Sequence, residues 1–134
     1  MKTDAGVLVR EVFVLVDQQR TDELCAQFAD DAVMELPFAP GKMARRYAGV
    51  DEVRGFISSV RDAFSSFAMV VDAVHATTDP DLVIVEHHSD GVVAANGRPY
   101  RNRYVTFVRF DAAGKIVQWR EHYDAGEVVR AFRP

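Results

Sequence analysis

The chain has 134 residues, 49% apolar and 27% charged, with a formal net charge of −4 at pH 7. A chain this long forms one domain, 1–134, with its own core, burying roughly 70% of the surface its unfolded form exposes. The acidic balance argues against nucleic acid, which calls for a basic face. The single cysteine, Cys25, leaves no internal disulfide and fits a reducing cytoplasm. Acidic residues interrupt the N-terminal segment where a signal peptide is apolar, and no apolar run nears the ~20 residues of a membrane span.

Residues 4–19 carry helical spacing, with Leu8, Val12, Leu15 and Val16 on one stripe and Val9 and Phe13 beside it. Thr21, Asp22 and Glu23 supply a cap and an acidic first turn for a short second helix that packs Leu24 and Phe28. Residues 32–36 read as a short strand ended by Pro37, 39–44 as a loop and 45–48 as another short strand. Asp51 starts a third helix whose Val53, Phe56, Ile57, Val60 and Phe64 share one apolar face. From Phe67 onward the period changes to two, predicting strands over 67–77, 82–95, 99–110 and 115–124. Their links are short and turn-rich (Asp79-Pro80-Asp81, Asn96-Gly97, Asp111 to Gly114), so neighbours are expected as antiparallel hairpins. Helices followed by a meander predict the α+β class: three helices on a strongly curved antiparallel sheet around an internal pocket.

Strand alternation sorts the side chains. On the last strand Val117, Trp119, Glu121 and Tyr123 share one face, and Ile116, Gln118, Arg120 and His122 the other. Glu121 is thereby a carboxylate on the apolar face. On the preceding strand Tyr100, Asn102, Tyr104, Thr106, Val108 and Phe110 form a face with the mixture of a ligand pocket, apolar walls with a few placed polar groups. The opposite face carries Val105 and Phe107, suited to packing on another subunit. Parity from the Asn96-Gly97 turn groups His87 with Val85, Ser89, Gly91 and Val93, and a bulge near Gly91 would reverse it.

Three segments carry a family resemblance: Phe28-Ala-Asp-Asp-Ala-Val-Met-Glu-Leu-Pro-Phe38, Gly97-Arg-Pro-Tyr-Arg-Asn-Arg-Tyr104 and Gly114-Lys-Ile-Val-Gln-Trp-Arg-Glu-His-Tyr-Asp124. With the order of elements, they resemble the SnoaL-like group of the nuclear-transport-factor-2-like (cystatin-like) fold, which includes ketosteroid isomerases and phenazine-biosynthesis A/B proteins. The resemblance covers nearly the whole chain. It implies a cone-shaped domain with a deep pocket, a homodimer and no cofactor. Ketosteroid isomerases place an aspartate base where Leu36 stands, an oxyanion-hole tyrosine at Val12 and a second acid at or near Arg103. That mechanism is therefore not carried over. The Asp-Arg-Asp set of limonene-epoxide-hydrolase-like members has no counterpart either. The phenazine A/B proteins use a glutamate acid in an Arg-Glu-aromatic context, and Glu121 matches it within Trp119-Arg120-Glu121-His122-Tyr123. SnoaL-type cyclases use an aspartate in this last-strand region; Asp124 is the nearby one, and parity turns it away.

An apolar pocket disfavours the charged form of Glu121 and raises its pKa toward neutrality, fitting it for general acid/base work. Its competing role is structural, satisfied by a tyrosine or an arginine. His87 is either its proton-transfer partner or a donor to a core tyrosine. His87 and His88 point to opposite faces, with no third ligand at metal spacing. Asn102, Tyr104 and Tyr123 either orient a ligand carbonyl or form a buried network; Met34, Phe38 and Trp119 are wall or core residues. Three functions stay open. The first is a cofactor-free isomerase, cyclase or dehydratase acting on a small, mostly apolar carbonyl compound. The second is a non-catalytic binder of such a molecule, and the third is a dimerisation module.

Overall fold

The computed structural model describes residues 3–134. In chain order the elements are α1 (Ala5–Asp17), α2 (Thr21–Cys25), β1 (Phe28–Glu35), β2 (Arg46–Ala48), α3 (Val50–Ala63), β3 (Phe64–Ala76), β4 (Leu82–Val93), β5 (Pro99–Phe110), β6 (Ile116–Tyr123) and α4 (Ala125–Ala131). The strands form one six-stranded sheet in the order β2-β1-β6-β5-β4-β3. The α+β class and the cone of helices on a curved sheet are as expected, with two changes. The sheet is mixed, because β1 lies parallel to β6, with Met34 opposite Trp119. Hairpin logic applies only to neighbours in sequence, and β1 and β6 are joined through the whole intervening chain. The second change is a fourth helix, α4. Its cap is local: Asp124 Oδ1 accepts from Gly126 N at 2.8 Å.

Register shifts on β3 between Phe64 and Ser66 and between Val71 and Ala73 bend the long β3–β4 ribbon. At Gly91 the two backbones meet: a Cβ added there would lie 2.8 Å from Ser66 O. Helix α1 packs into the concave face. Its fully buried residues are Val9, Val12 and Phe13, so the stripe faces the sheet about one residue away from the sequence reading, with Leu8, Leu15 and Val16 on its margins. Helix α2 has Arg20 at its N-cap and no side-chain capping bond; Thr21 is its first residue. Of the α3 stripe only Val53 is fully buried.

On β6 one parity assignment fails. A register shift lies between the pairs Arg109–Gln118 and Phe110–Ile116, which leaves Val117 out of the ladder and turns Ile116 inward to full burial. Trp119, Glu121 and Tyr123 beyond the bulge keep the expected face. None of the described helices is long and apolar enough to cross a membrane.

The bulge has a stability consequence. Ile116→Ala should cost about 2–4 kcal/mol, as for other fully buried aliphatic truncations, whereas Val117→Ala should cost about 1 kcal/mol or less. Urea denaturation of the two variants measures the difference, and comparable losses would restore the uninterrupted alternation.

Candidate active site

Between the concave sheet and the helices lies a cavity of about 620 Å³. The apolar face of α3 is one wall: Phe56, Ile57, Val60 and Phe64, the C-cap residue, line the cavity, and two of them also pack on aromatic neighbours, Phe56 on Tyr47 and Phe64 on Phe67 and Tyr100. The opposite wall is the aromatic face of β5 and β6. Trp119 stacks on Phe13 at a ring separation of 5.4 Å, which fixes its indole at the cavity floor. Helix α4 contributes Val128, and Phe132 follows at its C-cap.

Glu121 stands on this wall, opposite Thr106 in the β5–β6 ladder. It is half-buried, and the cavity it lines is itself apolar. Desolvation raises its carboxyl from 4.5 to about 7, against a smaller opposing effect from a hydrogen bond with the Trp119 side chain. Among the described residues no lysine or arginine forms an ion pair with it. Both protonation states are therefore populated near neutral pH.

Three tyrosines surround the acid. Burial pushes Tyr100 and Tyr123 up to about 12 and Tyr104 further still, with the Glu121 charge adding to each, so all three remain O–H donors. Two of these hydroxyls are committed. Tyr104 bonds Ser89 Oγ at 2.8 Å and Tyr100 at 3.0 Å, and Asn102 Nδ2 donates to Tyr100 at 2.9 Å. The Tyr123 hydroxyl forms no hydrogen bond with a described residue; its ring leans on Tyr104 at 6.0 Å.

Of the residues singled out in the sequence, Glu121, Met34, Tyr104, Trp119 and Tyr123 come together on the cavity wall. Three do not. Phe38 is 57% exposed and packs on His122 at 5.4 Å, away from the cavity. Asn102 is buried and clamps α4 to β5: its Nδ2 donates to Asp124 O at 3.0 Å and its Oδ1 accepts from Asp124 N at 3.1 Å. His87 faces inward as parity predicts but lies beneath the wall, 1% exposed. Its Nε2 meets Thr106 Oγ1 at 2.7 Å and its ring stacks on Tyr104 at 4.7 Å. Burial drives its pKa down to about 3, with a smaller upward effect from Asp72 and a smaller downward one from His88, so it is neutral at physiological pH.

Sequence reasoning placed Tyr100 on the pocket face of its strand but gave it no role in the site. It missed α4, for which Asp124 with Glu127 three residues on is a capping-box signal. Gln19 and Arg61 at the mouth carry no sequence signal. Among the described residues no group of three or more His, Cys, Asp or Glu side chains is placed to hold a metal ion.

The raised carboxyl sets a pH-dependent stability. The folded chain holds the Glu121 proton more tightly than the unfolded chain. The stability this contributes is fully present below about 4.5 and lost as pH rises through about 7. Glu121→Gln removes that dependence. Relative to the variant, the parent protein should lose on the order of 2–3 kcal/mol between about pH 4.5 and pH 8. Urea denaturation at both ends of that range reads it, and parallel pH profiles would mean a solvated carboxyl.

A family model described as a SnoaL-like domain matches residues 9–119. An uncharacterised PhzA/B-like protein of Pseudomonas aeruginosa is 28% identical over 104 residues, covering 75% of this chain and 70% of its own. A solved structure of a provisionally named isomerase from Bacillus subtilis superposes with a TM-score of 0.84 at 26% identity, over 96% of this chain and 91% of that one. An NTF2-like protein from Burkholderia thailandensis superposes equally well, TM-score 0.84, at 23% identity over 98% and 99% of the two chains, and shares the fold.

Proposed function

Because the chain belongs to the SnoaL-like domain family, we propose that it is a cofactor-independent isomerase, cyclase or lyase. It acts on a small, mostly apolar carbonyl compound held in the cone. The observation that carries this reading is Glu121: a carboxyl brought to about 7 on the wall of an otherwise apolar cavity, without a cationic partner among the described residues. A carboxyl poised there takes a proton from the carbon beside a carbonyl and returns it at another position. Tyr123, whose hydroxyl has no described partner, is the donor available to the carbonyl oxygen as negative charge develops. Tyr100 and Tyr104 spend their hydrogen bonds on each other and on Ser89 and Asn102, and act by holding the wall.

His87 takes a supporting place in this reading. A neutral imidazole bonded to Thr106 and stacked on Tyr104 orients the wall; its burial and its absence from the cavity lining argue against proton exchange with the ligand. The relative named as an isomerase, at 26% identity, favours chemistry over passive binding. The same pocket without turnover is the second reading, that of a binding protein.

A homodimer in the cytoplasm completes the proposal. Exposed Val105, Val70 and Phe38 lie on the face of the sheet away from the cavity and suit a second copy. Sedimentation should give a dimer, and Val105→Asp should shift it toward monomer; a monomeric parent protein would end this part of the reading.

The chemistry is tested by deuterium exchange from solvent into a panel of apolar cyclic ketones. Glu121→Gln should slow exchange by about 10²–10⁴-fold, and the parent rate should inflect near pH 7. Exchange at equal rates in both proteins would remove Glu121 from the mechanism, and bound ketone without exchange would leave the binding protein.

A further inference from the structure

Five described residues have positive φ: Gly41, Gly49, Gly97, Gly114 and Gln19. The four glycines are outside the cavity lining, and Gln19, at φ 54°, is part of it. Gln19 follows the C-cap of α1 in a Schellman turn, where its N–H donates to Val16 O at 3.1 Å and that of Arg20 to Leu15 O at 3.1 Å. This position usually takes glycine, because a Cβ there crowds the backbone. A side chain retained at such a position, and only where the turn meets the cavity, points to a use for that side chain.

Its surroundings suggest the use. Thr21 and Gln19 are half-buried at the cavity lining, and Ser59 and Arg61 are exposed parts of it. Arg61 Nη1 donates to Thr21 Oγ1 at 3.5 Å, which draws the guanidinium to the α1–α2 turn. Its ion pair with Asp62 is long, 3.7 Å, and exposed. The mouth thus presents an amide, two hydroxyls and a cation, while the inner wall is aromatic and carries an acid.

We propose that Gln19 and Arg61 form a recognition rim for an anionic group at the outer end of the ligand, so that the pocket takes apolar molecules ending in a carboxylate or sulfonate. The inference rests on the cavity being the binding site. An anion placed against the acid of the inner wall would be desolvated and repelled, so the charged end faces the mouth. The apolar body then fills the cone between Phe56 and Trp119, and the uncharged polar end reaches Glu121.

Two dyes with one apolar body separate this rim from the cavity itself: 1-anilinonaphthalene-8-sulfonate, which is anionic, and N-phenyl-1-naphthylamine, which lacks the sulfonate. The chain has one tryptophan, and it lines the cavity, so energy transfer from Trp119 reports that a dye is bound. Gln19→Gly and Arg61→Gln should each weaken the sulfonate dye by about tenfold and leave the neutral dye within about twofold. Gln19→Gly should also raise the melting temperature by about 3 °C, as a glycine relieves the turn. Unchanged sulfonate affinity in both variants, equal weakening of the two dyes, or a lower melting temperature for Gln19→Gly would overturn the rim. If neither dye accepts energy from Trp119 in the parent protein, the cavity reading falls, and the rim with it.

Discussion

Strand β5 is held on both sides, by β4 and by β6, and its register with them places most of the groups discussed above. The ladder sets Thr106 opposite Val85 and Glu121, and Tyr104 opposite His87 and Tyr123. Because alternate residues face alternate sides, the inward side of β5 is a row of Tyr100, Asn102, Tyr104, Thr106, Val108 and Phe110, all buried. A slip of one residue would carry Arg101, Arg103 and Arg109 into the interior, and the desolvation cost of three guanidinium groups excludes it. The hydrogen-bond network under the cavity wall and the position of the acid both descend from that register.

The wall is a compromise between packing and access. Toward Val85, Val108 and Ile116 the interior closes fully, with Val9, Val12 and Phe13 of α1 filling it. Toward α3 it stays open, so the amphipathic face of that helix is covered incompletely. Polar groups between these regions are paired: no buried side-chain nitrogen or oxygen among the described residues lacks a hydrogen-bond partner. A satisfied network is rigid, and rigidity holds the tyrosine rings in place along the cavity. The acid and the histidine show how environment divides two titratable groups. Burial raises the one and lowers the other, and each is driven toward its neutral form.

Much of this was legible in the residues. Period-two alternation on β5 assigned the inward faces of Asn102 and Tyr104, and on β4 it grouped His87 with Ser89 but left their direction open to a bulge near Gly91; the β4–β5 ladder runs without a register shift, and both residues are buried. It failed at Ile116 because a single unpaired residue, Val117, inverts parity and leaves no mark in the sequence. Phe38 was read as a wall residue from its apolar character, but it follows Pro37 past the end of β1, where strand parity no longer applies. The seven residues of α4 are too few for a periodic signal, and only the cap at Asp124 announced them.

The sequence alone determined the α+β class, the strand order through the meander and the presence of Glu121 on an apolar face, because these follow from local periodicity and turn chemistry. Tertiary structure decided the rest. That β1 lies parallel beside β6, that α3 leaves part of its apolar face to the cavity, and that the Tyr123 hydroxyl has no partner among the described residues while those of Tyr100 and Tyr104 do are facts of packing between distant segments. The αL turn at Gln19 belongs with them, since a glutamine in sequence gives no hint of positive φ. Local pattern says which side of a strand a group occupies; whether it meets a neighbour or a cavity depends on what the remainder of the chain brings against it.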